Sequence, residues 1–419
     1  MSWESELEEL RRRQQLAHQL GGAERVKRHK DGGKLTVRER IDALLDPGSF
    51  REVGSIAGKA SYDDAGNITE FIPAYLVMGR GTLDGRPVVV AGDDFTVRGG
   101  SAEGGLRDKL VRAEMMARDL HLPIVRLVDG TGGGGSVRAL EVDGYAKCPA
   151  LYGWGLAIEN LSLVPVVGLA LGSTAGFGAA RVATSHYSVM VKDTSQIFIA
   201  GPPVVNRLGY HFEKNELGGS EIHSRNGTVD DEVATEVEAF ACARRFLSYL
   251  PRSVYELPAR VDTGDDVGRN VDWLIEAIPR DERQVYQMRK IVEAVADQGT
   301  FFEIGHRWGR PVITGFARFD GWPVALLASD PYHYAGAWTA DASRKIRRFV
   351  DLAQTFHLPV VHLVDVPGFM VGLEAEQRGT VRYAAETITA IIGSTVPWCA
   401  VIVRKCFGIG GGAHANNSR

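Results

Sequence analysis

Short runs dominated by apolar, β-branched residues, such as PVVVA (87–91), IVRLV (124–128) and VVHLV (360–364), have the length and content of buried strands. Between them lie longer stretches with helical spacing. Asp-Gly dipeptides at 84–85 and 320–321 sit between apolar runs, as hairpin turns do. In chain order the pattern predicts a helix, a short strand, two hairpin-like strands around DGxP and an amphipathic helix. Next come a strand, another helix and a strand entering a glycine-rich turn. That order occurs twice.

The repetition extends to individual residues. RERIDALLDPGSFREVG (38–54) is echoed by RKIVEAVADQGTFFEIG (289–305), with Asp46, Gly48, Phe50, Glu52 and Gly54 matching Asp297, Gly299, Phe301, Glu303 and Gly305 at an offset of 251. LDGRPVVVAGDD (83–94) pairs with FDGWPVALLASD (319–330) at 236. HLPIVRLVD (121–129) and HLPVVHLVD (357–365) keep 236, as do Lys109 and Lys345. LVPVVGLALGSTAGFG (163–178) pairs with TVPWCAVIVRKCFGIG (395–410) at 232. A solenoid unit spans only about 20–50 residues, so this period is that of a duplicated domain. Strands alternating with helices make the domain α/β with parallel segments. The hydrophilic stretch ARVDTGDDVGRN (259–270) reads as the linker, so a first domain is expected over 1–260 and a second over 271–419. Beyond Gly178 the first copy continues for roughly 80 residues to Pro258, whereas only GGAHANNSR comes after Gly410. The second copy is therefore expected to be cut short, with roughly 80–110 further residues covering its last apolar strand in the natural form.

Composition narrows the function. Charge is nearly balanced, 48 basic against 52 acidic residues, which disfavours a general nucleic-acid binder. No apolar run reaches the 18 or so residues of a membrane span, and the charged start MSWESELEELRRRQQ lacks a secretory signal's apolar stretch. Four scattered cysteines without a CxxC pair read as thiols in a reducing compartment, so a cytoplasmic protein is expected. Glycine departs from the norm: 49 in 419 residues is about 12%, against a usual share of about 7%. These glycines cluster beside apolar runs, where backbone must approach something closely.

Zincin, nucleophile-elbow and P-loop signatures are absent. GTGGGG (130–135) satisfies GxGxxG, but low-complexity glycine does so easily, and its counterpart VPGFM (366–370) does not. Both copies instead carry a strand running into a glycine turn that opens a helix, LALGSTAGFGAAR (169–181) and VIVRKCFGIGGGAHA (401–415). Free N–H groups at such a turn, reinforced by the helix's positive end, form an oxyanion hole. The competing reading is that these glycines only pack a helix on a sheet. Recurrence at the same place in both copies favours the hole.

KLTVRERIDALLDPGSF, MVKDTSQIFIAGPPVV (190–205), ELGGSEIHSRNGTVDDE (216–232), DASRKIRRFVDLA (341–353) and LVDVPGFMVG (363–372) resemble the carboxyltransferase (beta) subunit of biotin-dependent acyl-CoA carboxylases, of the propionyl-CoA carboxylase kind. The resemblance runs from about residue 30 to the end. It implies a tandem duplication of a crotonase-type (ββα spiral) domain, with acyl-CoA on the first copy and carboxybiotin on the second. CO2 then moves from carboxybiotin to the α-carbon of an acyl-CoA through an enolate. By position, Gly176, Phe177 and Gly178 form the thioester hole, and Gly408, Ile409 and Gly410 the biotin hole. Arg98, Gly99 and Gly100, Gly132, Gly133 and Gly134, and Gly411 and Gly412 are the implied substrate-binding residues. Phe177 and Ile409 depart from the family's Gly-Gly and Gly-Ala and are expected to crowd the acyl space. Gly412 stands where relatives often carry Asp.

Biotin arrives on a separate carrier protein, coenzyme A enters as part of the substrate, and no metal is called for. No general base is needed, since released biotin can take the α-proton. His186, His223 and His414 read as structural or surface residues. Arg25, Lys27, Arg28 and Lys30 are read either as a solvated charge run or as contacts to CoA phosphates. A biotin carboxylase and carrier subunit is an implied partner, and a homo-oligomer, a hexamer in the family, is expected. A biotin-dependent decarboxylase or transcarboxylase, or a non-catalytic scaffold subunit, are the alternatives.

Overall fold

The computed structural model describes residues 2–101, 108–130, 144, 151 and 153–415. The chain divides into two compact units, residues 1–223 with 232–244, and residues 224–231 with 245–419.

The first unit is built on a sheet with the strand order Arg51–Glu52, Leu76–Leu83, Arg86–Asp93, Ile124–Val128, Val166–Ala170, Tyr187–Val191 and Asp231–Val233. Its first three strands are antiparallel and the next three continue in parallel. The second unit repeats this with Phe302–Ile304, Val312–Phe319, Trp322–Ser329, Val360–Val366 and Trp398–Cys406. Strand starts differ by 312 − 76 = 236, 322 − 86 = 236, 360 − 124 = 236 and 398 − 166 = 232, the offsets of the sequence landmarks. The fold is a tandem duplication of a crotonase-type α/β domain.

Local chemistry makes the copies alike. Each hairpin turns on an Asp-Gly pair with both residues left-handed, Asp84 and Gly85 at φ 51° and 78°, Asp320 and Gly321 at 50° and 75°. This twist matches the strands it joins. Asp46 accepts from the N–H groups of Asp84 and Gly85 at 3.0 and 2.9 Å, and Asp297 accepts from those of Asp320 and Gly321 at 3.0 and 2.7 Å. Every residue of Ile124–Val128 and Val166–Ala170 is buried, as parallel strands covered on both faces require.

The division between the units falls earlier than the hydrophilic linker at 259–270. Residues just beyond Arg244 already pack on the second unit's sheet. Tyr249 stacks on Phe302 and meets Phe316 with ring centroids 6.5 and 5.5 Å apart, and Arg245 donates to the Gly299 and Phe301 carbonyls. The earlier segment 224–231 is held through Asp230, which pairs with Arg348 at 2.7 Å. Hydrophilicity marks a surface segment, whereas contacts define the unit.

Candidate active site

In the first unit, Val166–Ala170 leads through Ser173–Ala175, a short strand parallel to Gln196–Phe198, into Gly176 and the helix Phe177–Ala183. Gly176 takes φ 54° and ψ −116°, a conformation that glycine adopts at no steric cost. Its N–H donates to the Phe198 carbonyl at 3.1 Å, and its carbonyl accepts from Ala180 N–H at 3.0 Å. The Gly176 N–H is therefore already committed, and the turn's available donors are the helix-start N–H groups of Phe177 and Gly178.

In the second unit, Trp398–Cys406 leads through Phe407, whose N–H donates to Val366 O at 3.0 Å, into Gly408 at φ 63° and the helix Gly408–Ala415. Gly411 N–H returns to Phe407 O at 3.0 Å, so the N–H groups of Gly408, Ile409 and Gly410 precede the first intrahelical acceptor. The left-handed glycines, 176 and 408, stand at the 232 offset.

The residues behind the turns differ. The helix Phe177–Ala183 is moored ionically: Arg181 donates to Asp93 at 2.9 Å, and Arg126 binds Glu114 in bidentate fashion while donating to the Arg181 carbonyl. In the second unit His362 stands where the first has Arg126. His414 on the helix Gly408–Ala415 meets it ring to ring at 4.3 Å, with Trp338 edge-on at 5.6 Å. Burial and the neighbouring His414 hold His362 well below the usual imidazole range, and burial pushes His414 down to about 4.

This burial makes stability depend on pH. Unfolded, His414 takes a proton below about 6.5, whereas folded it resists until about 4. Its contribution is full above about 6.5 and is lost as pH falls towards 4, amounting to about 3 kcal/mol. Melting curves between pH 7 and 4.5 should show His414→Phe losing less stability with acid than the parent. Equal slopes would contradict the burial argument.

The implied substrate-binding residues separate into three groups. Gly132, Gly133 and Gly134 lie outside the described residues. Arg98 is exposed at φ 51° and Gly99 half-buried at φ 67°, both on a single 3-10 turn. Gly100 is a packing glycine: a Cβ there would sit 2.6 Å from the Asp129 carbonyl and 2.8 Å from Gly130 Cα. Gly411 is another, since its Cβ would sit 2.5 Å from the Cys406 carbonyl carbon, whereas Gly412 has nothing within 4 Å. The Phe177 ring packs on Trp154 at 5.6 Å and against the apolar core. Ile409 is 71% exposed.

The histidines read as structural are held by packing and backbone. His186 accepts from Val166 N–H at 3.0 Å, and His223 lies 2.8 Å from the Ile197 carbonyl. The basic run pairs with nearby carboxylates, Lys27 with Asp31, Arg28 with Glu24 and Lys30 with Glu39, all at the surface. Spacing alone missed two buried aspartates behind the turns, Asp129 and Asp365, although both repeats HLPxVxLVD end on them.

A duplicated crotonase-type fold whose copies each present a backbone donor turn defines a class of enzymes that act on acyl-CoA thioesters. The model of the carboxyl transferase domain matches residues 28–419. The carboxyltransferase subunit of propionyl-CoA carboxylase from Haloferax mediterranei is 33% identical over 410 residues, 97% of this chain and 78% of that protein. The alpha subunit of methylmalonyl-CoA decarboxylase from Veillonella parvula is 34% identical over 394 residues, covering 93% and 76%. The crystal structure of transcarboxylase 12S, with methylmalonyl-coenzyme A bound, superposes with a TM-score of 0.89 at 31% identity, over 99% of this chain and 80% of that one. The chain belongs to the carboxyl transferase family and is a carboxyltransferase of the propionyl-CoA carboxylase kind.

Proposed function

We propose that this chain is the carboxyltransferase subunit of a biotin-dependent acyl-CoA carboxylase, with the first turn binding the thioester oxygen and the second the urea oxygen of biotin. The observation that supports this reading is the recurrence in both units of a positive-φ glycine followed by helix-start N–H groups that have no acceptor among the described residues. Carboxyl transfer develops negative charge at two oxygens, and two turns supply donors for two anions. A donor aimed at a developing oxyanion lowers the barrier by about 3–4 kcal/mol.

The space at the second turn supports the biotin reading. Gly408 and Ile409 are exposed, Gly412 faces open space, and the side chains nearest Gly410 are those of Phe369 and Trp338. Carboxybiotin, held at its urea oxygen by the N–H groups of Gly408, Ile409 and Gly410, would supply the CO2 and, once decarboxylated, a base for the α-proton. Phe177 and Gly178 N–H groups hold the enolate oxygen. The Phe177 ring, turned onto Trp154, leaves the acyl group a wall instead of a plug. The biotin is carried by a separate subunit, the chain assembles with copies of itself, and the transcarboxylase 12S relative forms a hexamer.

The same half-reaction run in reverse is the second reading, favoured by the 34% identity to a decarboxylase subunit. The test is transfer of labelled carboxylate between the cognate biotin subunit and a panel of acyl-CoA esters differing in length and branching. Transfer to one class identifies the substrate. Failure with every ester, with the protein folded and partnered, would instead support a scaffold role.

A further inference from the structure

The strand Trp398–Cys406 does not run straight into its turn. It pairs with Val360–Val366 up to Val364 opposite Ile402, and pairing resumes with Val366 opposite Cys406. Asp365 on the inner strand thus faces three residues, Val403, Arg404 and Lys405, across a bulge. A bulge bends its strand and re-aims the residues beyond it. Asp365 is fully buried, and its carboxylate fills the gap. One oxygen accepts from the Lys405 N–H at 2.9 Å; the other accepts from the Tyr286 hydroxyl at 2.8 Å and lies 3.1 Å from Arg404 Nη2. The Arg404 guanidinium also stacks over Tyr286 at 4.8 Å and donates to the Gln284 carbonyl at 2.9 Å. Two residues past Lys405 comes Phe407, and then Gly408.

The first unit has a carboxylate at the same place. Asp129, at 365 − 236, is fully buried and pairs with Arg40 at 3.0 Å. Its carboxylate occupies the space where a Cβ on Gly172 would lie, four residues before the turn at Gly176. The two arginines come from unrelated positions, Arg40 from the helix Val37–Leu44 and Arg404 from the bulge itself. The feature common to both copies is the anion at the strand end. A buried anion costs several kcal/mol unless compensated, so a general packing role would be filled more cheaply by an apolar side chain.

We infer that Asp365 is a positioning residue for the second glycine turn: its carboxylate pins the bulge that aims the N–H groups of Gly408, Ile409 and Gly410. The inference rests on the reading of that turn as an oxyanion hole. A donor misplaced by about 1 Å costs up to 10²-fold in rate.

The test compares the full chain with Asp365→Asn, with Asp365→Asn/Arg404→Gln, which leaves no unpaired buried charge, and with Tyr286→Phe. Three quantities are measured: deuterium exchange of peptides over 404–411, acyl-CoA affinity by calorimetry, and carboxyl transfer to free biotin. The donor is whichever malonyl-type CoA ester the parent turns over fastest. Both Asp365 variants should exchange at least about tenfold faster over 404–411 and lose about 10- to 100-fold in kcat, with acyl-CoA affinity within twofold. Tyr286→Phe should move exchange and kcat the same way by about fivefold, which keeps the test sound if Asp365→Asn misfolds. Exchange and kcat near the parent's would overturn the inference, as would faster exchange with unchanged kcat, or acyl-CoA affinity falling in step with kcat. A folded parent inactive with free biotin and every ester would remove the underlying reading, and the inference with it. An active parent with unaffected variants removes the inference alone.

Discussion

Replacing Ile409 with proline is expected to lower carboxyl transfer about 10²- to 10³-fold while the protein stays folded. Ile409 is the second residue of the helix Gly408–Ala415, where an N–H has no acceptor within the helix, so proline's missing donor costs the helix nothing. Gly408 ahead of it has no Cβ to clash with the ring, and the Ile409 side chain is 71% exposed, so little packing is lost. The substitution therefore deletes a donor and little else. Ile409→Ala keeps the N–H and isolates the side chain. Steady-state transfer measured on both variants decides the matter: an alanine loss as large as proline's would show that the backbone donor is not what the turn contributes.

The second large effect concerns stability of the first unit. Arg181→Met leaves Asp93, 2% exposed, without its partner in the interior. Breaking a buried pair by removing one member costs about 3–5 kcal/mol. Asp93 is already held above the ordinary carboxylate range by burial, so it takes up a proton in the variant, which favours the lower end. The unit comprises 223 + 13 = 236 residues, for which each kcal/mol moves the thermal midpoint about 2–4 °C. A fall of roughly 6–20 °C is expected by calorimetry. Arg181→Met/Asp93→Asn removes both charges and should recover more than half of it. Transfer activity should also fall, because Arg181 moors the helix that carries the Phe177 and Gly178 donors. A midpoint within about 2 °C of the parent's would contradict the mooring role.

The architecture was legible because duplication writes each element twice. One Asp-Gly pair between apolar runs is a weak hairpin signal, but two at an offset of 236, each backed by an aspartate at 46 or 297, are not accidental. The glycine turns were legible for the same reason. Their detailed chemistry was not. Nothing in the letters distinguishes Gly100 and Gly411, which are small because a neighbouring backbone leaves no room, from Gly412, which faces open space, or Gly408, where a Cβ would meet only Gly368 Cα at 3.6 Å. For Gly100 that difference is set by Asp129 arriving from the end of another strand, and for Gly411 by the fold-back of the turn onto Cys406 five residues earlier. The commitment of the Gly176 N–H to Phe198 likewise depends on a short parallel strand pair that apolar pattern does not mark. Asp365 stood at the end of a repeat, but its role required Tyr286 and Arg404, and at the 232 offset from Arg404 the first copy has Gly172 in place of an arginine.

The left-handed residues carry a further consequence. The first copy turns at Arg98, Gly99 and Gly100, and the second at Tyr334, Ala335 and Gly336, all with positive φ. Two side chains in the second copy therefore hold a conformation that costs L-residues about 1–2 kcal/mol each. The backbone path has outlasted the residues best suited to it, kept by Gly336 seated on the Asp365 carbonyl and by Trp338 N–H bound to Gly368 O at 3.0 Å. The kinship of the two halves of this chain is thus better measured in torsion angles than in shared letters. The loop Tyr334–Gly336 is a tensioned element, anchored at the same aspartate that steadies the second turn.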